Sequence, residues 1–589
     1  MKACPKYFER PSLEEAAKRS QKPIPIIRTE LKIDPNLLDY TKDKKYFIQT
    51  FGCQANERDG EFLAGLLELC GYQKAKLREE ADIILLNTCA VRAGAEERIY
   101  GEIGHIKALK QVKPELILGV CGCMPQQEEV VEKLLKKPKT VDLIFGTHNL
   151  ERLPDLIKEA YLSKVPIVEV YSKEGEVYEN LPSVRSSNLK AWVNIMYGCD
   201  KFCTYCIVPY ARGRERSRLL EDIIKEVETL KKQGYQEVTL LGQNVNAYGQ
   251  DLKLGYNFED LLVATAKTGI PRIRFMTSHP WNFTEGMLKA IRDYPNIMPA
   301  IHLPLQAGDN EILRKMGRRY SAEEYCKLYD RIRKEISNVA ITTDIIVGFP
   351  NETYEQFSKT LDLVKYCKFD SAFTFIFSPR PGTPAAKMSD TVSLEEKKRR
   401  FKELIALVAS HAKERNMAYL GKTLEVLVEG PSKRCEAILS GYSENNKLVN
   451  FKGKGDKSLI GQIVPVKITR AKSWTLEGEV AVDKEVKKAV DELKKAFDRD
   501  ELIQEYRLLA NKIAESSEIQ TLEKELKELQ QKLCNYLDQN LKELYEETKE
   551  KYQELKKVYL ENPLVNNYQV LKEQVDELLK EVNEILSKL

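Results

Sequence analysis

Three cysteines at CxxxCxxC spacing constrain this chain more than any other feature of its sequence. Cys199, Cys203 and Cys206 follow an apolar run at residues 191–196 that predicts a β-strand. Three thiolates hold three irons of a 4Fe-4S cube and leave the fourth iron open to a substrate or cofactor. The alternative is a three-thiolate share of a zinc site, but tetrahedral zinc usually takes CxxC pairs and a fourth Cys or His. The spacing therefore favours a cluster.

The bulk composition predicts a soluble protein of several domains. The chain has 589 residues, too many for one core, so roughly three to five domains are expected. Hydrophobic residues make up 42% of it, and no apolar run approaches the roughly 18 residues of a membrane span. Thirteen cysteines in such a chain suit metal or redox chemistry better than structural disulfides. We expect a cytoplasmic location and no membrane partner.

The net charge of +4 is unevenly distributed. Residues 484–589 hold 19 Lys/Arg and 24 Asp/Glu, which gives this tail a net charge of −5 and leaves +9 on residues 1–483. The basic front of the chain suits a polyanionic partner, whereas the acidic tail does not.

The segment from residue 44 onward alternates between strand and helix patterns. Nearly continuous apolar strands are predicted at residues 46–50, 82–87, 116–120 and 143–146. Strands that are apolar on both faces indicate a parallel sheet with helices on both sides.

Three further cysteines each follow one of the first three strands: Cys53, Cys89 and Cys123. Because the carboxyl ends of parallel strands share one edge of an open sheet, these thiols are expected to form one three-thiolate site. Three unrelated buried cysteines are the alternative. Cys121 is an alternative to Cys123 as the third cysteine of this site, but Cys121 still lies within the predicted strand, whereas Cys123 begins the loop.

After a polar linker, six βα units predict a partial barrel with an open side. Their strands begin near Ala191 and continue at residues 238–241, 272–276, 300–303, 340–347 and 371–377. Since eight units close such a barrel, six leave room for a large substrate. Polar loops follow these strands on the rim where barrels bind ligands, among them Gly242, Gln243 and Asn244. We expect His279 and His302 to pack or hydrogen-bond and not to catalyse.

Two basic features suit nucleic acid. Arg212, Arg214, Arg216 and Arg218 recur at every second residue, and beside a predicted active site phosphate contact is favoured over a solvated loop. Five short strands at 423–429, 435–440, 447–451, 463–468 and 475–480 then predict a small β-barrel. Its Lys452 and Lys454, with nearby aromatic residues, suit RNA binding, and a protein-docking module is the alternative.

The tail beyond Lys484 is rich in Leu, Glu, Lys and Tyr at three- and four-residue spacing. Interruptions at residues 516–517 and 562–563 predict three helices in a bundle or antiparallel coiled coil. With no catalytic pattern there, an assembly module is the preferred interpretation.

Residues 193–218, which include the CxxxCxxC motif and the arginine run, resemble the radical S-adenosylmethionine (SAM) methylthiotransferases. Within that family they are most similar to the tRNA branch, the 2-methylthio-N6-dimethylallyladenosine synthases, and residues 378–384 share this similarity. The motifs around Cys53, Cys89 and Cys123 resemble the family's amino-terminal domain, and residues 419–482 resemble its TRAM RNA-binding domain. Residues 498–589 resemble the small helical YlbF/YmcA family.

The patterns and the resemblance together predict a multidomain α/β fold. The expected parts are an N-terminal arm (1–43), a methylthiotransferase domain with a parallel α/β sheet (44–160), a linker (161–189), a partial (β/α)6 radical SAM barrel (190–415), a small TRAM β-barrel (416–482) and an α-helical YlbF/YmcA-like bundle (483–589).

The resemblance implies methylthiolation of C2 of N6-isopentenyladenosine at position 37 of tRNA, with SAM as methyl donor and radical source. Two 4Fe-4S clusters are implied, one on Cys199, Cys203 and Cys206 and one on Cys53, Cys89 and Cys123. SAM would lie against Tyr205 and the loop Gly242, Gln243 and Asn244. The implied partners are the tRNA anticodon stem-loop, a one-electron donor protein of the flavodoxin or ferredoxin type, a sulfur donor, and a self-association or protein contact through the tail.

Other activities stay open at this stage. A threonylcarbamoyl-adenosine tRNA or a ribosomal protein is an alternative substrate, and an iron-sulfur RNA-binding scaffold is an alternative of another class. The chain also departs from the family at residues 306–309, Gln-Ala-Gly-Asp, where Gln-Ser-Gly-Ser is usual, which puts the role of this loop in question.

Overall fold

The computed structural model describes residues 25–28, 31–91, 93–136, 140–163, 165–170, 177–452, 457–481, 484–538 and 541–586. Most of the predicted N-terminal arm and part of the linker lie outside these ranges. The chain divides into two compact units, Met1–Ala481 and Val482–Leu589.

Six parallel strands form the first sheet of the larger unit. Their spatial order is Gln73–Lys74, Lys45–Thr50, Ile83–Thr88, Ile117–Gly122, Leu143–Phe145 and Ile167–Glu169. The covering helices are Gln54–Leu69, Ala93–Val112, Glu128–Leu135 and Leu153–Leu162. Alternate residues of Ile83–Thr88 enter two separate apolar clusters, one on each face of the sheet. The predicted parallel sheet with two covered faces is therefore confirmed.

The sheet has two edge strands that the sequence analysis did not predict. Gln73–Lys74 is two residues long and exposed, and Ile167–Glu169 is three residues long and half-buried. Strands this short contain too few residues to show a two-residue period, so only their backbone pairing reveals them.

The second part of this unit is the predicted partial barrel. Two three-stranded parallel sheets build it, with strands Lys190–Asn194, Glu237–Leu241 and Arg272–Phe275 in the first and Ala300–His302, Ala340–Val347 and Ser371–Ile376 in the second. Its helices are Leu220–Lys232, Phe258–Lys267, Glu285–Asp293, Asn310–Lys315, Ala322–Glu335, Tyr354–Cys367 and Leu394–Met417. One apolar core joins the helices to one face of these strands, including Val238, Leu240 and Ile345. The opposite face lines the barrel interior.

Five strands close into the predicted small β-barrel, which has its own core: Thr423–Ser432, Cys435–Ser443, Leu448–Lys452, Ile463–Ala471 and Leu476–Val480. Side chains of the partial barrel hold this small barrel through its backbone. Arg272 donates to the carbonyls of Tyr442 and Glu425 at 2.8 and 2.6 Å, and Arg274 donates to that of Ser443 at 2.8 Å. The partial barrel and the small β-barrel are thus joined by hydrogen bonds from arginine side chains to backbone carbonyls.

Shorter elements complete the larger unit. Ile26–Ile27 pairs with Val177–Tyr178, Met196–Tyr197 pairs with Arg216–Ser217, and the remaining helices are Pro35–Thr41 and Val208–Ala211. Across the described ranges, no helix combines the length and the apolar composition needed to cross a membrane.

The tail unit consists of helices Lys484–Arg499, Glu501–Glu515, Ser517–Asp538, Lys542–Glu561 and Pro563–Leu586. The breaks expected near residues 516 and 562 are present, but the predicted number of three helices is wrong. One added break occurs at Asp500, whose side chain accepts from the backbone N–H of Ile503 at 3.1 Å and caps a new helix. Tyr506 and Tyr568 stack in this unit with their hydroxyl oxygens 2.9 Å apart.

Asp370 gives a test of how the small barrel is held. This buried carboxylate binds Arg333 at 2.7 Å and Lys447 of the small barrel at 2.8 Å. Asp370→Asn removes the carboxylate partner of buried Lys447 and half-buried Arg333, and we expect a loss of about 3–5 kcal/mol in the free energy of unfolding, seen as a lower calorimetric transition temperature. Asp362→Asn is the control, since its pair with Lys365 is exposed; equal effects of both variants would contradict this role.

Candidate active site

The three N-terminal cysteines meet at the carboxyl edge of the first sheet. Cys89 and Cys123 directly follow Thr88 and Gly122, which are register partners on neighbouring strands, and Cys53 begins the helix Gln54–Leu69. The backbone N–H of Val91 donates to Cys89 Sγ at 3.3 Å.

Gly52 lets the backbone directly before Cys53 pass close to Cys89. Its φ is +134°, and a Cβ at this position would lie 2.6 Å from the Cβ of Cys89. Any side chain here would both strain the backbone and push the two cysteines apart.

Asn56 and Arg212 surround the sulfur of Cys123. Arg212 donates from Nε to Cys123 Sγ at 3.1 Å, and its Nη2 donates to Asn56 Oδ1 at 2.7 Å and to Asp59 Oδ2 at 2.6 Å. Asn56 is held in turn, since its Nδ2 donates to the Thr88 carbonyl at 2.8 Å. No sequence pattern pointed to Asn56 or Asp59, although Asn56 lies only three residues after Cys53.

The electrostatics of this site favour one thiolate. The neighbouring Cys89 lowers the pKa of Cys53 to about 5, and Arg212 acts in the same direction. Burial raises the pKa of Cys123 to about 11, although Arg212 opposes that shift. A metal ligand must be a thiolate, and the buried guanidinium stabilises negative sulfur here.

The CxxxCxxC loop is anchored to the far side of the barrel. Thr204 donates from its backbone N–H to the carbonyl of Met316 at 3.0 Å and from Oγ1 to that of Lys315 at 2.7 Å. Gly198 precedes the loop with φ +72°, and a Cβ there would lie 1.9 Å from the carbonyl oxygen of Arg214. These contacts position the loop that carries Cys199, Cys203 and Cys206, and within it the Cys206 N–H donates to the Cys203 carbonyl at 2.9 Å.

Burial and mutual repulsion dominate the second set of thiols. Burial, with a smaller contribution from Cys203, raises the pKa of Cys206 to about 12. Burial also raises the pKa of Cys199 well above its usual range, with contributions from Glu215 and Cys206. Arg318 donates from Nη1 to Cys203 Sγ at 3.4 Å. No sequence pattern pointed to Arg318.

Among the described residues, no group of three or more His, Cys, Asp or Glu side chains is arranged to hold a single metal ion. A 4Fe-4S cube spreads its three cysteines over three separate irons. Each set also has a buried arginine on one of its sulfurs, which suits an anionic cluster.

The two cysteine sets adjoin each other. Cys123 and Ala90 share a small buried apolar cluster with Ile207 and Ala211, and Ile207 directly follows Cys206. The first sheet and the partial barrel therefore present their candidate sites to a common region.

The predicted rim loop also reaches the CxxxCxxC region. The side-chain oxygen of Gln243 accepts from the N–H of Gly198 at 2.6 Å, and Asn244 donates to Glu215 at 3.0 Å. Gly242 packs on Met196 so closely that a Cβ would lie 2.6 Å from its Cγ. Tyr205 lies in the cysteine turn, where burial raises the pKa of its hydroxyl.

Several buried polar atoms near this loop lack a protein partner within the described ranges. They are Asn244 Oδ1, Gln306 Oε1 and both ring nitrogens of His279. Burial, with Arg318 and Lys201, lowers the pKa of His279 to about 2, so the ring is neutral. Unsatisfied polar atoms in a buried site indicate room for a polar ligand. His302, by contrast, is hydrogen-bonded to Thr342 and Asp344.

The arginine run is more than nine-tenths buried at all four positions, Arg212, Arg214, Arg216 and Arg218. Arg218 binds Glu179 at 2.6 Å and Glu226 at 2.7 Å. Burial raises the pKa of Glu226, but Arg218, Arg58 and Arg185 together lower it to about 2. Arg212 and Arg218 thus form ion pairs with carboxylates inside the protein. An RNA contact by the four arginines stays a prediction.

The remaining predicted residues lie elsewhere. Lys452 is the exposed last residue of the strand Leu448–Lys452 in the small barrel, and Lys454 falls outside the described residues. Asp309, the departure from the family pattern, caps the helix Asn310–Lys315 by accepting from the N–H groups of Glu311 and Ile312 at 3.0 and 3.1 Å. Aspartate and serine are both good caps, which explains how this substitution is accommodated.

Comparisons with known proteins agree with this geometry. The Radical SAM superfamily model matches residues 193–364, the model of Uncharacterized protein family UPF0004 matches 45–146, and the TRAM domain model matches 417–481. A model described as Control of competence regulator ComK, YlbF/YmcA, matches 486–589.

Curated relatives named tRNA-2-methylthio-N(6)-dimethylallyladenosine synthase match most of the chain. The protein of Anoxybacillus flavithermus is 54% identical over 480 residues, which is 81% of this chain and 90% of the relative. That of Bacillus subtilis is 53% identical over 480 residues, or 81% of this chain and 94% of the relative. The chain belongs to the tRNA-2-methylthio-N(6)-dimethylallyladenosine synthase family. It is therefore a radical SAM enzyme and a methylthiotransferase.

Solved structures are more distant from this family member. A radical SAM methyltransferase, TsrM of Kitasatospora setae, solved with cobalamin and a 4Fe-4S cluster, is 15% identical with a TM-score of 0.42. The match covers 58% of this chain and 77% of TsrM. Similarity at this level carries no argument about the site.

Cys123 and Cys121 allow a sharp test of the first cysteine set. After anaerobic reconstitution we expect about eight irons per chain, and Cys123→Ala should leave about four, because one cube loses a ligand. Cys121→Ala is the matched control two residues away: its thiol is buried in the apolar core, so the iron content should not change. Loss of iron in Cys121→Ala but not in Cys123→Ala would reverse the assignment.

Proposed function

We propose that this chain attaches a methylthio group to C2 of N6-dimethylallyladenosine at position 37 of tRNA, with SAM as methyl donor and radical source. The observation that carries this proposal is the 53–54% identity over 480 residues, covering 90–94% of relatives named for that product. The matched length is large enough to take in the sheet, the partial barrel and the small barrel together.

The two cysteine sets are proposed as ligands of two 4Fe-4S clusters. When bound, these clusters would supply the electron for reductive cleavage of SAM and hold the sulfur that is transferred. Cys199, Cys203 and Cys206 would serve the first purpose, since the CxxxCxxC turn adjoins the rim loops. Cys53, Cys89 and Cys123 would serve the second.

For SAM we propose Tyr205 and the loop Gly242, Gln243 and Asn244. Three facts support this choice: the loop contacts the CxxxCxxC region, Tyr205 lies within the turn, and Asn244 Oδ1 is buried without a protein partner in the described part of the chain. An amide oxygen of this kind suits the amino or hydroxyl groups of an adenosyl ligand.

For RNA we propose the exposed surface of the small barrel. Lys452 is exposed there, and Trp474 has 54% of its surface exposed, so a cation and a stacking ring lie on one small domain. Lys454 is proposed with them. Phosphate contact by Arg212, Arg214, Arg216 and Arg218 stays a prediction, since all four side chains are buried in this structure.

The barrel interior favours an apolar substituent on the adenosine. Phe373 and Phe375 alternate on the strand Ser371–Ile376 and are 49% and 38% exposed. In register they share a face with Asp344 and His302, opposite the face that joins the helix-covered core. Two open phenylalanine rings suit a dimethylallyl group better than the polar threonylcarbamoyl group of the alternative substrate.

Further partners complete the proposal. The chemistry needs a one-electron donor protein, of the flavodoxin or ferredoxin type, and a sulfur donor. The helical tail is proposed as a self-association or protein-binding module, since its family match differs from that of the catalytic part. A cytoplasmic location stays a prediction.

Nucleoside analysis tests the substrate. tRNA from cells that lack this protein should accumulate N6-dimethylallyladenosine and lose its methylthio derivative, and the intact gene should restore the product. Accumulation of threonylcarbamoyl-adenosine without its methylthio form would favour the alternative substrate, and unchanged nucleosides would favour a scaffold.

SAM cleavage tests the CxxxCxxC turn. Cys203→Ala should abolish formation of 5′-deoxyadenosine under reducing conditions, a loss of several orders of magnitude, because the open iron needs all three ligands. Cys435→Ala is the control, since Cys435 is exposed on the small barrel. Retained cleavage in Cys203→Ala would contradict the assignment.

A further inference from the structure

Arg212 links the backbone beside one cysteine set to a sulfur of the other. It follows the helix Val208–Ala211 and lies six residues after Cys206, so its backbone belongs to the CxxxCxxC region. Its side chain, only 5% exposed, ends in the other site, where Nε lies 3.1 Å from the sulfur of Cys123. One side chain thus connects the two cysteine sets.

The position of the Arg212 guanidinium is determined by several contacts. Its Nη2 lies 2.7 Å from Asn56 Oδ1 and 2.6 Å from Asp59 Oδ2. Asn56 is itself held by the carbonyls of Thr88 and Phe51, at 2.8 and 3.2 Å. A guanidinium has a rigid planar fork, so two bonds on Nη2 direct Nε at the sulfur.

A donor and positive charge at a ligand sulfur change the energy of electron addition. Hydrogen bonds to the sulfurs, net charge and solvent exposure set the reduction potential of an iron-sulfur cluster. A cation stabilises the reduced cluster more than the oxidised one, because the reduced cluster carries the extra negative charge. Burial strengthens this effect, since solvent does not screen it.

From these contacts we infer that Arg212 is a positioning residue that raises the reduction potential of the N-terminal cluster and fixes that cluster against the radical SAM region. This inference rests on the proposed assignment of Cys53, Cys89 and Cys123 as cluster ligands. Arg318 is its counterpart in the other site, where Nη1 donates to Cys203 Sγ at 3.4 Å and Nε donates to the hydroxyl of Tyr320 at 3.1 Å.

The experiment isolates one cluster at a time in the full chain. A background with Cys199, Cys203 and Cys206 all changed to Ala retains only the N-terminal set. In it, the midpoint potential of the cluster is measured by a redox titration followed by electron paramagnetic resonance, and iron is counted in the same samples. About four irons are expected; their absence would overturn the two-cluster assignment itself, and the inference with it.

With iron present, the variants decide the role of Arg212. Arg212→Gln should shift the midpoint potential to a lower value, and Arg212→Lys should shift it less in the same direction, because the ammonium keeps the charge without the fork. Arg318→Gln should leave this potential unchanged. If Arg212→Gln fails to load iron, the midpoint potential of Arg212→Lys alone tests the inference. An unchanged potential in the variant that loads iron would overturn the inference.

Asp59→Asn separates tuning from a purely structural ion pair. It removes the partner of Arg212 and a negative charge but leaves the contact to Cys123, so the potential should not fall. If Arg212 and Asp59 formed only a structural ion pair, Asp59→Asn and Arg212→Gln would change the midpoint potential equally.

The reciprocal background has Cys53, Cys89 and Cys123 changed to Ala. In it, Arg318→Gln should lower the midpoint potential and Arg212→Gln should not. Equal effects of the two variants there would overturn the assignment of one arginine to each cluster.

Discussion

The parallel pairing of Ile83–Thr88 with Ile117–Gly122 is the constraint on which the N-terminal site depends. Because Thr88 is the register partner of Gly122, Cys89 and Cys123 leave the sheet side by side. Residues rise about 3.3 Å each along a strand, so a slip of two residues would displace one cysteine by roughly 7 Å and destroy the site. The fully buried core of the sheet prevents that slip, since it would expose apolar side chains to solvent or force them into occupied space.

Buried charge is the second determinant of this architecture. The arginines after the CxxxCxxC motif do not form a basic surface; Arg212 binds Asp59, and Arg218 binds Glu179 and Glu226. Charged groups leave water at a cost that only close partners offset, so the Arg212–Asp59 pair helps to specify where the first sheet meets the partial barrel. The net charge of +9 on residues 1–483 therefore did not predict that these arginines are buried.

Much of the fold was predictable because its periodicities are strong. Long apolar strands alternating with amphipathic helices identified the sheet and the partial barrel, and glycine-separated short strands identified the small barrel. The errors have local causes. Gln73–Lys74 is too short for a pattern, and the helix break at Asp500 depends on a capping bond that a leucine-rich period hides. Asp309 looked like a change in a binding loop, yet its side chain caps a helix and binds Lys359.

The sequence alone determined the chemistry that is available to this protein. It supplies six cysteines in two sets, a glycine directly before Cys53 and Cys199, and a family pattern along most of the chain. Only the tertiary structure decided which side chains surround those cysteines. Arg212 and Cys123 are 89 residues apart, and their contact exists because two separately patterned domains bury a shared surface. Local periodicity carries no information about such a contact, since the burial of charge against sulfur depends on the packing of both domains at once.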